Sequence, residues 1–190
     1  MKQLLEDIKT GQFRQAYLLY GQEAYLRNQY RDRLKAAMVQ EGDTMNFSSF
    51  QGKDINPAQI IDLAETMPFF ADRRVILIQD SGWFKKGGEA LADYLKTPSP
   101  TTFFIFAEAE ADKRNRLFKA VKEAGCAVEF STQDETTLKR WILGRIKKEN
   151  KAISRSGLDF FLQKTGSDME NIDRELEKLF FYTLKKDAIT

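Results

Sequence analysis

The chain has 190 residues, of which 42% are hydrophobic and 31% charged, with a formal net charge of +2. A chain of this length buries roughly 70% of the surface its unfolded form exposes, so it folds without disulfide or metal staples. Its near-neutral charge sets up no large field for a nucleic-acid or membrane partner. The sequence holds no histidine and one cysteine, Cys126, which excludes histidine bases, histidine-activated nucleophiles, an internal disulfide and a multi-cysteine zinc site.

Residues 1–15 are amphipathic and lack the apolar core and cleavage site of a signal peptide. No apolar run approaches the 18 or so residues that span a bilayer. The expected protein is soluble and cytoplasmic, with no membrane partner. The first strand is expected at residues 16–20, AYLLY, followed by Gly21. Helical spacing then runs over about 23–39, with Tyr25, Leu26, Tyr30, Leu34 and Met38 on one stripe. Residues 46–50 are a weaker strand candidate. Asn56-Pro57 is a helix start, an N-cap followed by proline at the first helical position. That helix is expected to carry Ile60, Ile61, Ala64 and Met67 inward and to end before Pro68.

Residues 75–78, 102–106 and 126–130 read as further strands, apolar on both faces and separated by helices at 89–96 and 113–124. Continuous apolar strands alternating with helices indicate a parallel sheet covered on both sides. The expected class is therefore a doubly wound α/β domain with five strands. Cys126 falls in the last strand and reads as a structural, reduced thiol. After residue 131 only helices are expected, at about 136–150, 154–165 and 168–185, with 132–137 as a polar hinge. This gives a domain over 1–135 and a small helical domain over 136–190.

An α/β domain followed by a small helical lid is the layout of an AAA+ module. Such a module binds ATP at the loop after its first strand, where Gly-x-x-x-x-Gly-Lys-[Ser/Thr] wraps the phosphates with backbone N–H groups. Here that loop runs from Gly21 to Asn28. Gly21 is kept, but Leu26 replaces the second glycine, Arg27 the lysine and Asn28 the magnesium-binding hydroxyl. The expected loop is degenerate and binds no nucleotide, and no cofactor or metal is expected. Asp80, Glu108 and Glu110 follow strand ends and would be the carboxylates of a metal nuclease, though nothing in their spacing singles them out.

Two basic clusters stand out: Lys113, Arg114, Arg116, Lys119 and Lys122 on one helix, and Lys139, Arg140, Arg145, Lys147, Lys148 and Lys151 on another. They read either as solvated faces or as weak, sequence-blind contacts to DNA phosphates; Lys113, Arg114, Arg116, Lys119, Lys147 and Lys148 are the candidates for such contacts.

The least ordinary feature is residues 65–80, ETMPFFADRRVILIQD. Phe69 and Phe70 stand in a short connection from a helix into a parallel strand, at the sheet edge opposite the phosphate loop. Two readings compete: both rings cap the bottom of the core, or at least one is offered to a partner.

Five segments, YLLYGQEAYL, AETMPFFADRRVILI, LADYLKTPSPTTFFIF, DKRNRLFKAVK and ENIDRELEKLFFY, follow one another in an order and spacing that resemble the delta-subunit family of the bacterial DNA polymerase III clamp loader, across essentially the whole chain. The resemblance implies that Phe69-Phe70 inserts into a hydrophobic pocket of the sliding clamp, with Thr66, Met67, Pro68, Asp72 and Arg73 around it. It also implies a non-catalytic subunit that helps to open the clamp ring for loading on primed DNA and binds no ATP. The other clamp-loader subunits (gamma/tau and delta-prime) would be its partners, with primed DNA touched weakly. Relative to the family, a C-terminal collar domain is expected to be missing. The Ser-Arg-Cys arginine-finger motif of the sister subunits is absent, since Ser154-Arg155-Ser156 does not match it, and so is the four-cysteine module of delta-prime. The alternatives at this point are a stand-alone DNA-binding module and an enzyme with an unrecognised carboxylate site.

Overall fold

All five residues of Ala16–Tyr20 (β1) are buried, so both faces of this strand need a cover. Alternate residues supply it: Ala16, Leu18 and Tyr20 enter one core, and Tyr17 and Leu19 enter the other. A computed structural model describes residues 1–184 and 186–189, and the chain divides into two units, Met1–Ser131 and Thr132–Thr190.

In the first unit, Phe47–Gln51 (β2), Arg74–Gln79 (β3), Thr102–Glu108 (β4) and Gly125–Glu129 (β5) join β1 in one sheet of order β2-β3-β4-β1-β5. Every pairing is parallel. Lys2–Thr10 (α1) and Ala24–Met38 (α2) lie on one face, where Leu4 and Leu34 meet Tyr17, Leu19, Leu77 and Ile105. Pro57–Ala64 (α3), Glu89–Tyr94 (α4) and Arg116–Ala124 (α5) cover the other, where Ile60, Leu91 and Leu117 meet Ile76, Phe104 and Phe106. This is the doubly wound, five-stranded parallel architecture expected from the apolar runs.

Several local expectations need correction. The periodicity of residues 1–15 left their structure open; residues 2–10 form α1, which stops at Gly11 in the left-handed conformation (φ 72°). Buried Asp7 fastens this helix to β1 by accepting the Tyr17 hydroxyl hydrogen bond at 2.8 Å. On α2 only Leu34 and Met38 of the expected stripe are fully buried, while Tyr25, Leu26 and Tyr30 are half-buried. Helix α3 does not reach Met67. It ends at Ala64, whose carbonyl accepts from Thr102 Oγ1 at 2.7 Å, and Thr66 N turns back to Leu63 O. Helix α5 begins three residues later than expected because the Asn115 side chain accepts from Leu117 N at 2.7 Å and caps it there. Lys113 and Arg114 thus sit on the preceding turn.

The second unit is built from Glu135–Lys148 (α6), Arg155–Thr165 (α7) and Met169–Tyr182 (α8). Asp134, Ser154 and Asp168 cap their N-termini through side-chain acceptors. Leu138, Ile142 and Ile146 on α6, and Ile172, Leu176 and Phe180 on α8, form buried stripes at helical spacing. The helices-only expectation missed a two-residue parallel pairing of Ala152–Ile153 (β6) with Ala188–Ile189 (β7). It is too short to show as periodicity. Lys185, the expected end of the last helix, lies outside the described residues; α8 ends at Tyr182.

Candidate functional site: an aromatic corner

The connection between α3 and β3 lies at the edge of the sheet where the strands begin. Phe70 is 95% exposed, Met67 84% and Phe69 56%. The two rings touch edge to face, 4.6 Å between centroids at 81°. Capping of the core by both rings is thus not what this corner does. Phe70 has φ 48°, a left-handed backbone that costs a non-glycine residue roughly 1–3 kcal/mol.

The backbone beneath these side chains is firmly bonded. Asn46, at the start of β2, is buried; its Oδ1 accepts from Phe69 N at 2.6 Å and its Nδ2 donates to Phe69 O at 2.9 Å. Asp43 supports that amide, accepting from Asn46 Nδ2 at 2.9 Å and from the backbone N–H groups of Met45 and Asn46. These hydrogen bonds hold the Asp43 carboxyl below the usual carboxylate range. Arg74, the first residue of β3 and also buried, donates to the carbonyls of Thr66, Met67 and Met45, each at 3.2 Å. A groove of about 450 Å³ runs beside Phe70, with Ala36, Val39, Glu41 and Asp72 among its walls.

The remaining residues expected here divide. Pro68 is half-buried and Asp72 exposed. Thr66 directs its hydroxyl to Leu63 O at 2.6 Å. Arg73 stacks its guanidinium over Phe13 (5.0 Å) and Phe103 (5.7 Å), so it is part of the wall rather than a free charge. Asn46 and Arg74 were not singled out from the sequence. The available signals were an Asp and an Asn three residues apart just before a strand, a pattern that satisfies loop backbone, and a charge opening an otherwise apolar run.

At the opposite edge, the loop after β1 turns two of its backbone donors into the protein. Gly21 N donates to Glu108 O at 3.1 Å and Glu23 N to Phe130 O at 3.0 Å. The Arg27 guanidinium folds back onto the Gly21 carbonyl. Leu26 packs against the α1/α2 core, and Asn28 Oδ1 accepts from Arg31 Nη1 at 3.1 Å. Gly21 itself has a local reason: a Cβ there would lie 2.2 Å from Phe130 O.

The three carboxylates do not converge. Glu108 is buried and accepts from Ser81 N (2.9 Å), Ser81 Oγ and Gly82 N (3.2 Å). Burial pushes its carboxyl up, against those hydrogen bonds. Asp80 accepts from Gln51 at 3.3 Å, and Glu110 pairs with Lys85. Among the described residues no group of three or more acidic, cysteine or histidine side chains could hold a metal ion. Cys126 is half-buried on β5, and burial pushes its thiol up.

Of the basic candidates, Lys113 pairs with Glu129 at 2.8 Å, Arg114 with Asp112 at 2.9 Å, and Arg116 with Asp93. The Arg114 guanidinium holds Asp112 down at about 2. Lys119, Lys147 and Lys148 are exposed without an ion pair among the described residues. No described helix is long and apolar enough to cross a membrane.

Comparison with known proteins gives this arrangement a family. The model of the DNA polymerase III delta subunit matches residues 17–131. The chain belongs to that delta-subunit family. It is 26% identical over 197 residues to the DNA polymerase III subunit delta of Bacillus subtilis (strain 168), covering 97% of this chain and 57% of that protein. With the probable delta subunit of Aquifex aeolicus it shares 24% identity, over 92% of this chain and 52% of that protein. The chain thus spans little more than half the length of these delta subunits. The solved Bacillus subtilis DNA clamp loader delta protein superposes with a TM-score of 0.74 at 26% identity, covering 98% of this chain and 59% of that one. The Thermotoga maritima RuvB Holliday junction branch migration motor superposes at 0.54 and 14% identity, covering 100% of this chain and 62% of that one, a likeness of fold alone. The delta-family chain is therefore AAA+-like, a parallel five-stranded α/β domain followed by a small helical lid.

Proposed function

We propose that this delta-family chain serves DNA replication as a clamp-loader subunit that docks on the sliding clamp through Phe69 and Phe70 and has no catalysis of its own. The observation that carries the reading is the pair of edge-to-face rings held outward on a bonded backbone, Phe70 at 95% exposure. A large ring gains nothing from water, and burying one stabilises a contact by about 1.5–3 kcal/mol. Two rings give roughly 3–6 kcal/mol, whereas micromolar binding needs about 8 kcal/mol after association costs. The pair is the hot spot; Met67, Pro68 and Asp72 form the neighbouring surface, with Thr66 and Arg73 as its support.

Ring opening follows from differential binding: a subunit opens a closed ring only by binding the open form more tightly. The chain does this in concert with the other loader subunits, gamma/tau and delta-prime, which supply the nucleotide control, in the cytoplasm. That this chain binds no ATP itself is supported by Gly21 N, Glu23 N and Arg27, all engaged within the protein. The test is clamp binding by surface plasmon resonance with Phe69→Ala/Phe70→Ala. We expect a loss of at least about a hundredfold with an unchanged unfolding midpoint; binding within twofold of wild type overturns the proposal.

A second reading, weak contact with the phosphates of primed DNA, rests on Lys147 and Lys148, which are exposed on α6 without acidic partners among the described residues.

A further inference from the structure

We infer that Asn46 is a positioning residue for the aromatic corner: its side-chain amide fixes the backbone of Phe69, and through it the direction of both rings, without touching the partner. The inference rests on the clamp-docking reading above. Its grounds are geometric. The amide grips both polar groups of one residue, accepting from Phe69 N (2.6 Å) and donating to Phe69 O (2.9 Å), across 23 positions of sequence. It thereby takes the place that a neighbouring strand's backbone would occupy beside Phe69. The second Nδ2 hydrogen goes to Asp43 Oδ2 (2.9 Å), so the amide's orientation is set: only oxygen toward Phe69 N and nitrogen toward Phe69 O satisfies both neighbours.

The residue so gripped immediately precedes Phe70, whose backbone stands in the left-handed region (φ 48°). A bulky residue holds that conformation only when its surroundings over-determine it. Arg74 fixes the other end through the carbonyls of Thr66 and Met67. With residues 66–69 anchored, and Arg74 N donating to Thr101 O at 2.8 Å, only residues 70–73 span the gap between fixed points, which leaves the backbone of Phe70 little freedom. A partner then meets rings already in place, and the ordering cost of the loop is met during folding rather than at binding.

Truncation to alanine would test stability as much as position, so the informative change is Asn46→Asp. One oxygen of the introduced carboxylate still accepts from Phe69 N. The other then faces Phe69 O and Asp43 Oδ2 with no proton to offer, and the clasp opens on that side. Protonation restores a donor. The charged groups around the site are Asp43 and Arg74, with Glu41, Asp72 and Arg73 on the adjoining groove. Burial and the neighbouring Asp43 favour the protonated form of the introduced carboxyl, against Arg74 and the Phe69 N–H, which favour the ionised one.

Two measurements carry the test, both on the whole chain. The first is binding of the cognate sliding clamp between about pH 5 and 8. We expect Asn46→Asp to bind about tenfold more weakly than wild type at the upper end and to recover toward wild type at the lower end. The second is the ¹⁹F spectrum of 4-fluorophenylalanine placed at position 70 in the free protein. We expect one narrow, shifted line for wild type at all pH values. For Asn46→Asp the line moves to the shift of an unstructured peptide at high pH and returns at low pH. The inference is overturned if Asn46→Asp binds like wild type while Phe69→Ala/Phe70→Ala abolishes binding, which leaves the docking reading intact. It is also overturned if binding weakens at every pH with the ¹⁹F line unmoved. Loss of neither binding signal, in either variant, removes the docking reading and this inference together.

Discussion

At the edge where the strands begin, residues 66–73 present Met67, Phe69 and Phe70 to solvent above a backbone bonded to Asn46 and Arg74. At the edge where they end, residues 21–28 do the reverse. Leu26 packs inward, and the backbone donors of Gly21 and Glu23 bond to Glu108 and Phe130. Each loop has part of its backbone bonded within the protein, Thr66, Met67 and Phe69 at one edge and Gly21 and Glu23 at the other. They differ in what is left over: at one edge exposed apolar surface, at the other a loop whose Gly21 and Glu23 amides are already bonded within the protein. On the proposed reading, an AAA+-like sheet keeps its architecture while its interactive surface lies at the strand starts, because the sheet is built chiefly by the apolar faces of its strands and helices.

The comparison can be broken most decisively at the aromatic edge, where the Phe69→Ala/Phe70→Ala change is expected to cost at least about a hundredfold in clamp affinity while leaving stability unchanged. At the opposite edge the same economy predicts the opposite result. Gly21→Ala places a Cβ 2.2 Å from Phe130 O at φ 127°, so it should destabilise the fold by about 2–4 kcal/mol in urea unfolding. A change below about 0.5 kcal/mol would mean that this loop is looser than its contacts indicate.

Smaller effects sharpen the picture. Glu108 is buried and its carboxyl is pushed up, so its folded-state proton affinity exceeds that of the unfolded chain. The sign follows: its contribution to stability falls as pH rises from the ordinary carboxylate value through the raised one, and is constant below. Glu108→Gln should remove that slope while costing about 1–3 kcal/mol, because the amide meets the Gly82 N–H with a donor; urea unfolding between pH 4 and 7 checks both. For DNA, Lys147→Glu/Lys148→Glu should lower the slope of log affinity against log salt by about 2. Lys113→Glu should change it less, since Glu129 already neutralises that lysine. Smallest of all, Leu26→Gly/Arg27→Lys/Asn28→Thr restores the nucleotide-loop motif in letters, yet fluorescent ATP should still not bind. Glu23 N remains bonded to Phe130 O.

Much of this molecule was legible from local pattern. Runs such as AYLLY and TFFIF announced strands covered on both faces, and Asn56-Pro57 announced a capped helix whose cap is present, Asn56 Oδ1 accepting from Ala58 N at 3.0 Å. The altered phosphate loop was legible because its chemistry is a contiguous motif. Met67 was misplaced because helical spacing continues past Ala64 in the letters, whereas Thr102, on a distant strand, takes the last carbonyl.

The sequence by itself determined the five strands of the main sheet, most of the helices, the parallel class and the suspicion attached to Phe69 and Phe70, since each depends on side-chain periodicity or on residues next to one another; it did not determine α1 or the β6–β7 pair. Only the tertiary structure decided that the rings face outward, that Gly21 serves the close approach of Phe130, and that Asn46 grips Phe69. These depend on strands brought side by side from far along the chain. A hydrogen bond across 23 residues leaves no period in the sequence.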